Sequence, residues 1–283
     1  MIKNHIPAQN DICDDLVNYL LKNKDPKTNI ISDLQDATYR HALESICMMC
    51  LDSRMGCLST STSPTPDGNQ LISATKLLFE SYNELYYGLP IWKFYPTKSY
   101  RKLDEAESII YETASKYVEI AVSRLKRKSQ LSINELTSGQ TSVLETLLKI
   151  QGVTEADIKI TIIDFIAGGI FTVSNALSLL FYHLAKNIDC QHKLYMELRH
   201  VMDDDDNNVD RDANADVDAG NHNSWCVMTA EKLSKLQYLK ACIKECFRLS
   251  SPVPGIMRIL SNCVSLSGYQ VPAGVIKFMI YYN

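Results

Sequence analysis

Residues 165–185 carry no formal charge apart from the one available to His183. Thr154 and Asp157 precede them at capping-box spacing, which predicts a helix over about 155–186. A helix this long and apolar can cross a bilayer, or it can run through the middle of a large protein core. Thr172, Ser174, Asn175 and Ser178 lie inside it and favour the protein core. The rest of the chain must then pack around this helix.

Gly168 and Gly169 stand side by side within it. Each costs roughly 1 kcal/mol relative to alanine in a helix interior. Two readings account for that cost. Either a neighbouring helix packs tightly, or a flat group comes close to the backbone, with Thr172 hydrogen-bonding in the same turn.

Apolar periodicity predicts further helices over 11–22, 70–87 and 101–128, the last with Ile109, Ile110, Ala114, Tyr117, Val118 and Ala121 inward. Ser32 and Gln35 are read as a capping box opening a helix that ends near Leu51. Asp189 is read as the cap of 190–202, and Ser234 with Gln237 as the caps of the helix holding Glu245 and Arg248. Residues 59–69 read as a loop, and 92–96 as a turn with aromatic anchors. Past Pro252 the period shortens, giving strands at 256–260, 264–266 and 275–281. The fold class is mainly α with a small β portion.

The formal charge of −4 hides a division. Residues 203–218 hold eight aspartates and one arginine, so the remainder is mildly basic. The stretch 203–224 is too polar to fold alone and is read as a disordered Asp/Asn-rich insertion in one domain covering 1–283. It lacks the glycine and closing glutamate of a calcium loop. No basic run with interleaved aromatics points to nucleic acid. The nine cysteines are scattered, unlike a disulfide framework. Cys47 and Cys50, with Cys57 nearby, have the spacing of a redox or zinc motif. No second Cys/His pair stands at ligand distance, so packed core cysteines are expected. Residues 1–7 are neither a secretory signal nor an arginine-rich transit peptide, so the chain is expected to be cytosolic or to lack its true start.

Glu245 and Arg248 are three apart and so share one helix face, with Leu236, Leu239, Ile243 and Phe247 around them. A buried pair is expected, because either charge buried alone would be costly. Several motifs follow in order: Ala167-Gly-Gly-Ile-Phe-Thr172, Tyr182-His-Leu-Ala-Lys-Asn187, Leu233 through Leu249, Pro252-Val-Pro-Gly-Ile-Met-Arg258 and Leu266-Ser-Gly-Tyr-Gln-Val-Pro-Ala-Gly274. Together they resemble the central part of a cytochrome P-450, the haem-thiolate monooxygenases, and within it the mitochondrial clan. Tyr86 through Pro96 and Asp164-Phe-Ile-Ala-Gly-Gly-Ile170 are most similar to arthropod ecdysone 20-monooxygenases.

The resemblance implies the cytochrome P-450 fold, incomplete at both termini, with haem as cofactor. Thr172 matches the threonine that helps deliver protons to iron-bound dioxygen. Gly168 and Gly169 match the bend beside the oxygen site, and Arg258 matches the arginine that reaches a haem propionate. Glu245 and Arg248 match a structural ion pair. Ile170, Phe171, Val253, Pro254 and Met257 match substrate-facing positions. Lys240 and Lys244 match lysines that dock a ferredoxin; an ordinary solvated face is the alternative. Phe171 stands where many members carry an acid. The axial cysteine loop is expected beyond Asn283, so no residue here is assigned to the metal. The implied activity is hydroxylation of a steroid-like apolar substrate with dioxygen and ferredoxin-supplied electrons. The implied location is the mitochondrial inner membrane, with peripheral membrane association. The alternative is a haem-less remnant that is inactive or binds a partner.

Overall fold

A computed structural model describes residues 2–58, 66–87, 89–131, 141–203, 227–253, 255–274 and 276–280. The helices are α1 (Ile6–Lys22), α2 (Leu34–Leu51), α3 (Pro66–Tyr87), α4 (Lys98–Leu131), α5 (Val143–Leu148), α6 (Glu155–Lys186), α7 (Ile188–Asp203), α8 (Ala230–Lys235) and α9 (Gln237–Leu249). Four short strands follow: β1 (Gly255–Ile259), β2 (Val264–Leu266), β3 (Tyr269–Val271) and β4 (Ile276–Ile280). β1 pairs antiparallel with β4, with Arg258 opposite Lys277, and β2 with β3. The mainly helical expectation holds.

α6 is the pillar. The Thr154 hydroxyl accepts from the Asp157 N–H at 3.1 Å, and the Asp157 carboxylate accepts from the Thr154 N–H at 3.3 Å. This is the capping box read from the sequence, and the helix keeps the predicted bounds. Ile158, Ile162, Ile163, Ile166, Ala167, Ile170 and Ser174 form its buried stripe. That stripe packs on α2 over the longest contact, and also on α4, α3 and α5. Fully burying one such isoleucine is worth about 1.5–3 kcal/mol. The helix is long and apolar enough to cross a membrane, but as far as Ser174 it serves as a core helix. The core burial expected along its whole apolar length stops there; Phe181 and Tyr182 are exposed.

α3 lies along α4, whose predicted apolar face is buried at Ile110, Ala114, Val118 and Ala121. Cys47, Cys50 and Cys57 are buried free thiols, as expected for core cysteines. Burial pushes the Cys50 thiol up to about 12, and the Cys47 thiol is raised chiefly by burial as well. Among the described residues no group of metal-ligating side chains comes together. Glu44 is fully buried and organises the turn after α2. Its carboxylate accepts from the Arg54 guanidinium at 2.7 Å and from the N–H groups of Met55 and Cys57.

Several local expectations are corrected. Asp33, not Ser32, caps α2, because its carboxylate reaches the Asp36 N–H directly at 2.8 Å. α3 begins at Pro66, so 66–69 are its first turn, where proline is well placed; 59–65 lie outside the described residues. α7 starts at Ile188, so Asp189 sits in its first turn instead of capping it. The aromatic turn is anchored by Trp92, stacked 5.8 Å from Tyr100, whereas Phe94 is 92% exposed. Of the Asp-rich insertion only Asp203 is described, as the last residue of α7; 204–226 lie outside the described residues.

The start of α9 also differs. Ser234 donates to the Glu231 carbonyl and Gln237 to the Ser234 carbonyl, so neither caps the helix. The carboxylate of Glu197 on α7 does so from a neighbouring helix. It accepts from the N–H groups of Tyr238 at 2.6 Å and Leu239 at 2.9 Å. A negative group suits the positive end of a helix dipole.

Candidate functional site

Opposite the buried stripe of α6, helical periodicity aligns Asp164, Gly168, Thr172, Asn175 and Leu179. Gly168 is half-buried, yet a β-carbon built on it would meet nothing within 4 Å. Space is open in front of the backbone there. The Thr172 hydroxyl donates to the Gly168 carbonyl at 2.8 Å. Its lone pairs remain available to accept a hydrogen bond from a group on the open side. The expected hydrogen bond of Thr172 within the glycine turn is thus present.

The two glycines have separate jobs. A β-carbon on Gly169 would fall 2.7 Å from Cγ1 of Ile46 on α2. Gly169 therefore meets the close helix contact, and the open strip belongs to Gly168. The tight-packing reading applies to Gly169, and Gly168 has the open space that the other reading requires.

Past Thr172 the strip enters a cleft of about 490 Å³. Asn175, Ser178 and Leu179 of α6 form one wall, Leu34 and Gln35 at the start of α2 another, and Ser251 and Pro252 close it. The turn is held in place by His183, whose Nε2 is 3.0 Å from the Ser250 hydroxyl at the end of α9. Thr38 ties α2 to α6 through the hydroxyls of Ser174 and Ser178, at 2.9 and 3.0 Å. Sequence reading did not assign Asn175, Ser178, Leu179 or the α2 residues. The spacing of 168, 172, 175 and 179 was the available signal for the α6 members.

The other singled-out residues divide. Ile170 is fully buried in the core, half a turn from the strip, so it lines no open pocket. Phe171 is half-buried and stacks on Phe79, centroids 3.7 Å apart and rings 10° from parallel, so its ring is engaged in core packing. Val253 is exposed directly after the cleft-lining Pro252. Pro254 lies outside the described residues. Met257 is in β1 opposite Phe278, with its side chain outside the description, and Arg258 is exposed on the same strand.

Glu245 and Arg248 form the expected pair as a two-pronged contact at 2.6 and 2.8 Å. It is not buried: the side chains are 55% and 62% exposed. Cys246 is the buried residue of α9, which turns this charged face outward. The Arg248 guanidinium still holds the Glu245 carboxyl below its ordinary range. Lys240 and Lys244 are exposed on α9, and the Lys240 ammonium donates to the Ser234 carbonyl at 2.7 Å.

The strip fits one face of a planar cofactor: room at Gly168, a hydroxyl at Thr172 and an amide at Asn175. Among the described residues no cysteine lines the strip or its cleft, so an axial thiolate is not assigned to any of them.

Comparison with known proteins bears on this arrangement. The sequence profile of the family Cytochrome P-450 matches residues 2–282. The chain is 31% identical over 276 residues to Ecdysone 20-monooxygenase of Drosophila melanogaster, covering 98% of this chain and 47% of that protein. It is 30% identical over 275 residues to "Cytochrome P-450 12b1, mitochondrial" of Drosophila acanthoptera, covering 96% and 46%. It is also 30% identical over 276 residues to "Probable cytochrome P-450 49a1" of Drosophila melanogaster, covering 96% and 42%. The chain thus spans less than half the length of these relatives.

Proposed function

The chain belongs to the cytochrome P-450 family, whose members bind haem, and we propose that the whole protein is a monooxygenase that hydroxylates a steroid-like, ecdysteroid-class substrate. The observation carrying this reading is the open strip from Gly168 to Thr172 running into the cleft at Asn175 and Leu179. The substrate class rests on the named activity of the ecdysone-hydroxylating relative. Haem, when bound, supplies the activation of dioxygen.

The chain's own residues do the rest. Gly168 leaves room for a flat group against the helix. Thr172 is held with its hydrogen on the Gly168 carbonyl, so its oxygen can accept from a water and hold a proton donor in place. Phe171 offers no carboxylate and is engaged with Phe79. Asn175, three residues beyond Thr172, supplies a second polar group to the same water. Arg258 is the cation for a haem carboxylate, a task that suits a planar, permanently charged fork. Leu34, Leu179, Pro252 and Val253 present apolar surface to the substrate.

Electrons come from a ferredoxin-type donor docking on Lys240 and Lys244, both exposed on α9. The mitochondrial names of several relatives support the same compartment for this protein. Peripheral contact with the inner membrane uses the segment after α3, where Leu89, Ile91, Phe94 and Tyr95 are exposed beside Lys93, Lys98 and Arg101. Exposed aromatics beside cations suit an anionic lipid surface.

The test is Thr172→Ala in the full-length protein. The variant is expected to keep the Soret band and its carbon monoxide shift while losing hydroxylated ecdysteroid per electron consumed. Unchanged coupling of electrons to product would refute the role of Thr172. Absence of the band in the wild-type protein would refute the monooxygenase reading itself.

A further inference from the structure

A second cavity, of about 320 Å³, lies away from the strip, between the end of α6, the start of α7 and α9. Its walls include Leu184, Ala241 and Leu249, and three cysteines face it: Cys190, Cys242 and Cys246. Cys246 is buried, whereas Cys190 and Cys242 are half-buried and so reachable from the cavity. Tyr238, one turn before Cys242 on α9, lines the same cavity as Cys190. The arrangement is held by the Glu197 carboxylate, which grips the N–H groups of Tyr238 and Leu239 and so ties α7 to α9. Glu245, on the same face of α9, is already engaged by Arg248.

From this geometry we infer that the α6–α7–α9 cavity is a covalent capture site for small apolar α,β-unsaturated carbonyl compounds, with Cys190 as nucleophile and Tyr238 as proton donor. The volume is within the range of small-molecule pockets, and the apolar walls concentrate an apolar electrophile beside the sulfur. The Cys190 sulfur forms a bond to the β-carbon, and the carbon–carbon π bond breaks. The α-carbon takes a proton from the Tyr238 hydroxyl, which regains the one lost by the thiol. The sum is an addition, with no leaving group and no oxidant. Two neighbours keep their protons for this purpose. The neighbouring Cys190, then burial and Cys242, push the Tyr238 hydroxyl up to about 12. Burial, then Cys190 and Glu197, raise the Cys242 thiol, which leaves less of it as thiolate. Capture here is independent of haem and of the strip on α6.

The experiment compares two reagents on the full chain by peptide mapping. Iodoacetamide, small and polar, should label the exposed Cys263 first. Cyclohexenone should reverse that order and accumulate on Cys190. Tyr238→Phe should slow the Cys190 adduct, on the order of a hundredfold for loss of a positioned acid, while labelling of Cys13 and Cys263 stays unchanged. Cyclohexenone following the same exposure order as iodoacetamide would overturn the capture site. An unaltered Cys190 rate in a folded Tyr238→Phe protein would overturn the role of Tyr238. Should that variant fail to fold, the order of labelling in the wild-type chain decides the matter alone.

Discussion

Gly168 and Gly169 are adjacent in α6, yet their replacement by alanine should change stability unequally. Either substitution removes a glycine from a helix interior, a gain of about 1 kcal/mol. At Gly168 nothing opposes the gain, because the new methyl meets no atom within 4 Å. At Gly169 the methyl would lie 2.7 Å from Cγ1, 2.9 Å from Cδ1 and 3.2 Å from Cβ of Ile46. Two of these atoms lie close to the α2 backbone, so a rotamer change alone does not clear them. Overpacking of this kind costs about 1–3 kcal/mol. Gly169→Ala should therefore be neutral to about 2 kcal/mol destabilising, and the two variants should differ by about 1–3 kcal/mol. Urea unfolding of both, at unchanged m, reads this difference as a shift in midpoint. Adding Ile46→Ala to Gly169→Ala should recover about 1 kcal/mol relative to additivity, since the residues touch. Gly169→Ala as stable as Gly168→Ala would refute the close α2–α6 contact. In the full-length protein Gly168→Ala should lose turnover while gaining stability, because the methyl fills the strip.

Glu44→Gln should cost about 2 kcal/mol in urea unfolding, because the N–H groups of Met55 and Cys57 lose their charged acceptor while Arg54 keeps only Asp15; a loss below about 1 kcal/mol would contradict the network. Glu245→Gln should lower the unfolding midpoint only slightly, and the difference should vanish in high salt, since both partners are more than half exposed. Burial, with the Arg54 charge adding to it, holds His41 below its ordinary range, and its Nδ1 has no partner. The unfolded chain then takes the proton first, so this contribution is complete above about pH 6.5 and is lost as the pH falls below it. His41→Phe should flatten that acid limb in unfolding midpoints measured against pH. Cys47 and Cys50 should resist a thiol-titrating disulfide reagent in the native protein and react only on unfolding, as their burial and raised thiols require.

What could be read from the sequence followed from local chemistry. The capping box at Thr154 and Asp157 fixed both the start and the phase of α6, because its two hydrogen bonds are made within four residues. The apolar face of α4 was equally plain. Other features depend on partners distant in the chain. Glu197 caps α9 from 41 residues away, so the search for a local cap settled on Ser234 and Gln237. The two glycines were indistinguishable until Ile46 was placed against one of them. Exposure of the Glu245–Arg248 pair was misjudged because the flanking apolar residues suggested burial. α9 instead buries a single cysteine and leaves Phe247 and Leu249 exposed.

The same phase accounts for why some candidate site residues fall on the strip and others do not. Consecutive residues turn by about 100° around the helix, so the run Gly168-Gly169-Ile170-Phe171-Thr172 visits every side of it. A motif read as a contiguous string mixes residues that face apart. Gly168 and Thr172, four apart, share the open face. Gly169 faces α2, Ile170 the core, and Phe171 the ring of Phe79. The stabilising contacts and the proposed site thereby fall on different sides of one element. Changes at Ile162, Ile166 or Ile170 should therefore act on packing, and changes at Gly168, Thr172 or Asn175 on what the cleft can hold. Among the described residues, the opposite face of the same helix makes the most extensive contact between elements, with α2. The Thr172 hydroxyl, bonded to the Gly168 carbonyl, is carried on that packed helix, so the proposed role of Thr172 needs no movement of the backbone behind it.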